Sequence, residues 1–190
     1  MTWLLIGLLG FLGLHSLRIV APGWRQARIA AMGEGPWKGL YSLLSIAFFA
    51  LLVWGYGQAR QAPVLLWQPP MPLRHVGYLL VLLAFVLLVA TYVPRNHLKA
   101  RLQHPMLLAT KSWALGHLLM SGWLHSVLVF GAFLAWAVFD FTSAKRRQAP
   151  VSQAPRVGMT VLAVVLGVVA YAVFAMHLHA WLIGVQPIIP

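Results

Sequence analysis

Long apolar runs alternate with short polar segments along the whole chain. Six runs are long enough to cross, or nearly cross, a bilayer as helices that rise about 1.5 Å per residue. Few residues separate the fourth and fifth runs, so we expect these two to form a tight antiparallel hairpin. The pattern predicts an all-α, polytopic membrane bundle of about six transmembrane helices in one domain, residues 1–190. The predicted helices are 2–20, 40–58, 75–93, 105–122, 126–142 and 158–184.

Composition supports a bilayer location. Of the 190 residues, 61% are hydrophobic and only 8% are charged, which is too few for a surface that faces water. The formal net charge of +12 would suggest a nucleic-acid partner in a soluble protein. Here the cations lie in short loops between apolar runs, so we expect membrane lipid as a partner and no nucleic acid.

The distribution of Lys and Arg predicts the orientation. Of the 14 basic residues, 12 flank the first, third and fifth connections, whereas Arg60 and Arg74 flank the second. The positive-inside rule therefore places the odd-numbered connections in the cytoplasm and both termini on the external, periplasmic side.

The absence of cysteine limits the chemistry. It excludes disulfides, thiolate-bound metals, iron–sulfur clusters and covalent attachment of haem. A metal site would have to use His, Met or carboxylate side chains, and Glu34 and Asp140 are the only acids.

His117 is the first candidate functional residue because it lies deep in the fourth apolar run. An imidazole in hydrocarbon is unfavourable unless it is hydrogen-bonded, faces a cavity or binds a metal. Trp113 lies one turn before it, and Gly116 leaves room beside it. His104 lies about 140° away around a regular helix, so it cannot share a pocket with His117. We expect His104 to begin this helix, next to Pro105.

His15 is the second candidate. It follows Gly7, Gly10 and Gly13, which share a helical stripe that would let a helix or a flat ligand approach closely. The alternative is a structural role, in which His15 bonds to a neighbouring helix and Arg18 extends to the interface.

Depth makes a shared ligand for these two histidines feasible. Their depths differ by about 8 Å, and helix tilt and the uncertainty of the helix boundaries can account for much of this difference. Two neutral imidazoles on facing helices commonly hold haem iron, and Arg18 and Lys111 would then pair with the propionates.

The other histidines are less suited to this role. His177 and His179 point in opposite directions, so at most one faces the bundle. The remaining histidines lie at the ends of apolar runs, where an interfacial role is expected: His75, His97 and His125.

Five short motifs together resemble the NnrU family of bacterial membrane proteins over essentially the whole chain. The resemblance implies a multi-pass protein of the bacterial inner membrane that is associated with denitrification, in particular with nitrite and nitric oxide reduction. The motifs are LHSLR (14–18), KGLYSLLS (38–45), HPML (104–107), W-x-L-x-HLL (113–119) and HAWLIGVQP (179–187).

The NnrU family is also related to the plant zeta-carotene isomerase, a haem b membrane enzyme that isomerises a cis double bond in a polyene. The proposed axial ligands of that enzyme match His15 and His117. The isomerase has a cysteine three residues before its second ligand, where this chain has Ala114. A mechanism that exchanges ligands with that thiol is therefore excluded here.

Three functions are compatible with these observations. The first is a protein that binds haem b non-covalently through His15 and His117, with Trp113 beside the site and with His104 and His179 as less favoured ligands. It would be a redox or nitric oxide responsive component, or would support assembly or expression of the reductases, with an unidentified redox partner. The second is a haem-dependent cis–trans isomerase of a polyene such as zeta-carotene. The third is a small transporter or structural subunit without a cofactor. The expected small-molecule ligand is apolar or a nitrogen oxide.

Overall fold

A computed structural model describes residues 1–146 and 154–187, and helices dominate this part of the chain. The predicted all-α membrane fold is confirmed. The helices are α1 (Thr2–Val20), α2 (Pro22–Met32), α3 (Glu34–Ala59), α4 (Met71–Tyr92), α5 (His97–Leu102), α6 (Pro105–Met120), α7 (Leu124–Arg146), α8 (Val157–Val173) and α9 (His179–Ile183), with a π-helical turn, Phe174–Leu178, between the last two.

Each predicted apolar run contains a helix, and α1 has the predicted bounds. Helix α3 begins at Glu34 rather than at residue 40, and the ion pair of Lys38 with Glu34 at 2.8 Å supports its first turn. Helices α2 and α5 were not predicted, because a search for long apolar runs misses short helices of mixed polarity. Their boundaries follow local chemistry: Gly33, at φ +86°, ends α2, and the Asn96 side chain caps α5.

Within the described residues, five helices are long and apolar enough to cross a membrane: Thr2–Val20, Glu34–Ala59, Met71–Tyr92, Leu124–Arg146 and Val157–Ile183. Helix α6 has 16 residues. Its length of about 24 Å is less than the hydrocarbon thickness of about 30 Å. Six crossings therefore stay a prediction. The external position of both termini also stays a prediction, because an odd number of crossings would place the termini on opposite sides.

The chain divides into two compact units, and the prediction of a single domain is left as a prediction. The first unit comprises Met1–Leu66 and Trp123–Val129, and the second comprises Trp67–Gly122 and Phe130–Pro190. Residues 147–153, which include Arg147 among the cations counted above, lie outside the described residues, as do residues 188–190.

In the first unit, α1 and α3 pack antiparallel at backbone distance. A Cβ atom at Gly7 would collide with the backbone of Leu52, and one at Gly55 would collide with the backbone of Leu4. Small residues at both positions therefore allow the two backbones to touch, as is typical of membrane helix pairs.

The glycine stripe of α1 is used mainly for this packing. The ring of Phe48 covers Gly10, so helix α3 occupies both Gly7 and Gly10. Gly13 alone on the stripe has open space around it. The predicted close approach of a helix is confirmed at the first two positions.

In the second unit, α4 packs against both α6 and α8. A Cβ atom at Gly116 would lie 2.9 Å from the carbonyl oxygen of Gly77, and one at Gly167 would lie 2.6 Å from the Cα atom of Val86. The expectation of room beside Gly116 is wrong, because α4 fills that space.

The predicted hairpin of α6 and α7 is confirmed by ring contacts within the second unit. Trp113 contacts Phe133, with ring centroids 5.4 Å apart, and His117 contacts Phe130 at 4.4 Å. Partners later in α6 are earlier in α7, so the two helices run antiparallel.

Candidate functional site

His15 lies in the last third of α1, in a small group of aromatic rings. Its Nδ1 atom is 2.8 Å from the backbone carbonyl oxygen of Phe11, four residues earlier. The Phe11 ring lies 4.2 Å from the imidazole, with the planes inclined by 32°. From α3, the Tyr41 ring approaches edge-on at 5.5 Å. The side chain is half-buried within the first unit.

His117 has a similar environment in α6. Its Nδ1 atom is 2.8 Å from the carbonyl oxygen of Trp113, again four residues earlier. The indole of Trp113 lies 5.2 Å from the imidazole. From α7, the Phe130 ring stacks on the imidazole with 4.4 Å between centroids and 23° between planes. The imidazole is thereby held on two sides within the second unit.

The two hydrogen bonds determine which ring nitrogen carries the proton. A backbone carbonyl only accepts, so the Nδ1 atoms of His15 and His117 must be the donors. In the neutral imidazole, the lone pair is then on Nε2, which is the nitrogen that can bind a metal ion. Carbonyl groups commonly orient metal-binding histidines in this way. Both predicted ligand residues therefore have the tautomer that binding requires.

The less favoured candidates have different surroundings. His104 is the residue immediately before α6, as predicted, and its buried Nε2 atom has no hydrogen-bond partner among the described residues. His179 begins α9 and donates from Nδ1 to the carbonyl oxygen of Val185 at 2.7 Å. The neighbouring His177 is exposed, so at most one of this pair faces the bundle.

One of the three histidines at the ends of the apolar runs departs from the expected role. His75 is exposed, as expected, and His97 is half-buried and bonds through Nδ1 to the hydroxyl oxygen of Thr160 at 2.8 Å. In contrast, His125 is only 4% exposed. The Tyr56 ring covers His125 edge-on, 4.9 Å away. This burial depends on a contact between distant parts of the chain, which no local sequence signal reveals.

The other predicted cofactor-binding residues are distributed as follows. Arg18 is exposed in the last turn of α1. The Lys111 ammonium lies over the Phe141 ring, 3.8 Å from its centroid. Trp113 contacts His117 and also the rings of Phe130 and Phe133. The part of the chain that the structure describes has no group of three His or acidic side chains that could together hold a metal ion.

The fold and these side chains define a class: an α-helical membrane protein whose apolar helices carry half-buried histidines with a defined tautomer. The family model described as NnrU protein matches residues 3–187, and the chain therefore belongs to the NnrU family. The predicted family is thus confirmed over nearly the whole chain. No curated protein and no solved structure matches this chain.

Proposed function

We propose that the protein binds haem b non-covalently, with His15 and His117 as axial ligands, in the bacterial cytoplasmic membrane. In this proposal it is a redox or nitric oxide responsive component associated with denitrification. Bound haem would supply one-electron redox chemistry, and nitric oxide could bind its iron only in place of one of the two histidines.

The shared hydrogen-bond arrangement of the two histidines is the observation that supports the proposal most. Each imidazole donates from Nδ1 to the carbonyl oxygen of the residue four positions earlier, at 2.8 Å. An iron ligand needs its lone pair on Nε2, and a donated Nδ1 hydrogen bond leaves it there. The residues therefore fit the group at both positions.

The aromatic neighbours add to this fit. Phe11 and Trp113 lie beside their histidines, and Phe130 stacks on His117. These rings exclude water and restrict rotation of the imidazoles, which favours ligation of an apolar macrocycle over solvation of the ring nitrogens.

His179 is the main alternative to His15 as the ligand that pairs with His117. It belongs to the same unit as His117, it also donates from Nδ1 to a backbone carbonyl, and a π-helical turn precedes it. π-helical turns are frequent at functional sites. The test of the ligand assignment must therefore include substitution of His179 as well as substitution of His15.

The direct test is the absorption spectrum of the protein purified in mild detergent, before and after addition of haem b. We expect a haem spectrum whose intensity falls in His15→Ala and in His117→Ala but not in His179→Ala. A protein that stays colourless after addition of haem would reject the proposal. If His15→Ala retained haem and His179→Ala lost it, the iron ligands would be His117 and His179 rather than His117 and His15.

The role in denitrification is tested separately in a denitrifying host that lacks its own copy. The intact chain should restore nitric oxide consumption, and the His117→Ala variant, expressed to the same membrane level, should not. Equal restoration by both would reject a haem-dependent role even if the purified protein binds haem.

A further inference from the structure

A second cluster, distinct from the histidine pair, lies at the predicted cytoplasmic ends of α6 and α7. The ammonium nitrogen of Lys111 is 3.8 Å from the centroid of the Phe141 ring, and that of Lys145 is 4.8 Å from the same centroid. The His104 ring lies edge-on to Phe141 at 6.3 Å. We call these four residues the Lys–Phe cluster; all belong to the second unit.

The cluster brings two like charges together on one aromatic ring. Because the two ammonium groups lie 3.8 and 4.8 Å from one ring centroid, they are near enough to repel each other. In the described residues, neither ammonium group has a hydrogen-bond or ion-pair partner. Asp140 is the single acidic residue of the second unit, which therefore offers little negative charge of its own. A cation–π contact is favourable for each lysine, but it does not remove the repulsion between them.

His104 contributes an unused hydrogen-bonding group at the same place. Its Nε2 atom is buried and has no partner among the described residues, although burial without a partner is unfavourable. His104 also stands at the N-terminus of the 16-residue helix α6, and its side chain does not cap that helix. The first-turn N–H groups and the positive end of the helix dipole therefore lie beside His104.

We propose that the Lys–Phe cluster binds a phosphate group, carried either by an anionic phospholipid of the cytoplasmic leaflet or by inorganic phosphate. A phosphate has several acceptor oxygens, so it can accept from both ammonium groups and from the imidazole while neutralising the repulsion. Lipid phosphates lie at the depth of helix ends, and basic pockets between helices bind such headgroups on the cytoplasmic side. This proposal does not rest on the haem function; it assigns Lys111, expected above to pair with a propionate, to the phosphate group instead.

The test is a titration followed by native mass spectrometry in detergent. Phosphatidylglycerol, phosphatidylcholine and sodium phosphate are added separately to the intact chain and to variants. Each of Lys111→Gln and Lys145→Gln should weaken binding of phosphatidylglycerol about fivefold, and the double variant should weaken it further. Arg101→Gln, which removes the same charge from an exposed position in α5, should have no such effect.

The probes distinguish the sources. Preference for phosphatidylglycerol over phosphatidylcholine, lost in the lysine variants, supports a lipid phosphate; lysine-dependent binding of sodium phosphate supports a free anion. Equal binding of both lipids without phosphate binding would overturn the proposal, as would an equal loss in Arg101→Gln. A loss of haem in Lys111→Gln with unchanged lipid binding would also overturn it, since the lysine would then serve a propionate.

The result is separable from the haem proposal by one further variant. His117→Ala should bind phosphatidylglycerol as the unmodified chain does, whether or not either protein contains haem. Lipid binding that disappears in His117→Ala, in protein with an unchanged unfolding temperature, would contradict an independent phosphate site.

Discussion

The surroundings of His15 and His117 share one local design and differ in how a neighbouring helix completes it. In both, Nδ1 bonds to a carbonyl one turn earlier, and the residue that supplies this carbonyl is aromatic. Tyr41 meets His15 edge-on at 5.5 Å, whereas Phe130 stacks on His117 at 4.4 Å. The hydrogen bond within the helix determines the tautomer, and the ring from the neighbouring helix determines how firmly the imidazole is held. We therefore expect His117 to be the more important ligand.

Substitution of each histidine by alanine should have the largest effect on haem retention and tests whether His117 is the more important ligand. His117→Ala should reduce haem retention by about tenfold or more, and His15→Ala should reduce it less, because a firmly held ligand loses less entropy on binding. Retention is measured as the ratio of haem to protein after gel filtration.

His75→Ala, at an exposed position in α4, is the matched control and should retain haem fully. A larger loss in His15→Ala than in His117→Ala would show that stacking by Phe130 does not determine ligand strength.

Along α1, Gly7 packs against the backbone of α3 whereas Gly13 has open space around it, and this difference can be tested by substitution. Gly7→Val would force α1 away from the backbone of Leu52 and should destabilise the protein by about 1–3 kcal/mol. Gly13→Ala adds a methyl group in open space on the same stripe and should leave stability unchanged or slightly raised.

The measurement is the thermal unfolding midpoint in detergent. A Gly7→Val protein that unfolds at the same temperature as Gly13→Ala would contradict the close contact between α1 and α3.

The aromatic partners should give the smallest effect. Phe130→Leu removes the ring stacked on His117 and should weaken haem retention about threefold, within the range of an aromatic pair. Tyr41→Leu removes a more distant, edge-on ring from His15 and should change retention less.

Titration of haem into the haem-free protein measures both affinities. If Tyr41→Leu weakened binding more than Phe130→Leu, the order of the two ligands in this account would have to be reversed.

The features within each helix could be predicted from the sequence. The apolar runs predict the helices, and Phe11 and Trp113 can be identified one turn before their histidines without a structure. The same local signals place His104 at a helix start, because proline is favoured in the first turn.

Contacts between distant parts of the chain could not be predicted. Stacking of Phe130 on His117, burial of His125 beneath Tyr56 and filling of the space at Gly116 by α4 each depend on which helices become neighbours. Apolar periodicity does not contain this information, because a membrane helix is hydrophobic on nearly all faces.

Lys111 shows the same limit at a charged position. Its pairing with a propionate stays a prediction, but the sequence did not reveal that its ammonium group shares the Phe141 ring with Lys145 from the next helix. A count of charges along the chain predicts orientation, but it does not show which charges converge.

Electron paramagnetic resonance of the oxidised, haem-loaded protein reports the ligands of the iron, because two imidazole ligands give low-spin iron. The intact chain should give a low-spin signal, and both His15→Ala and His117→Ala should give a high-spin signal that added imidazole converts to the low-spin form. A high-spin signal in the intact chain, or a low-spin signal that survives in either variant, would contradict ligation by this pair.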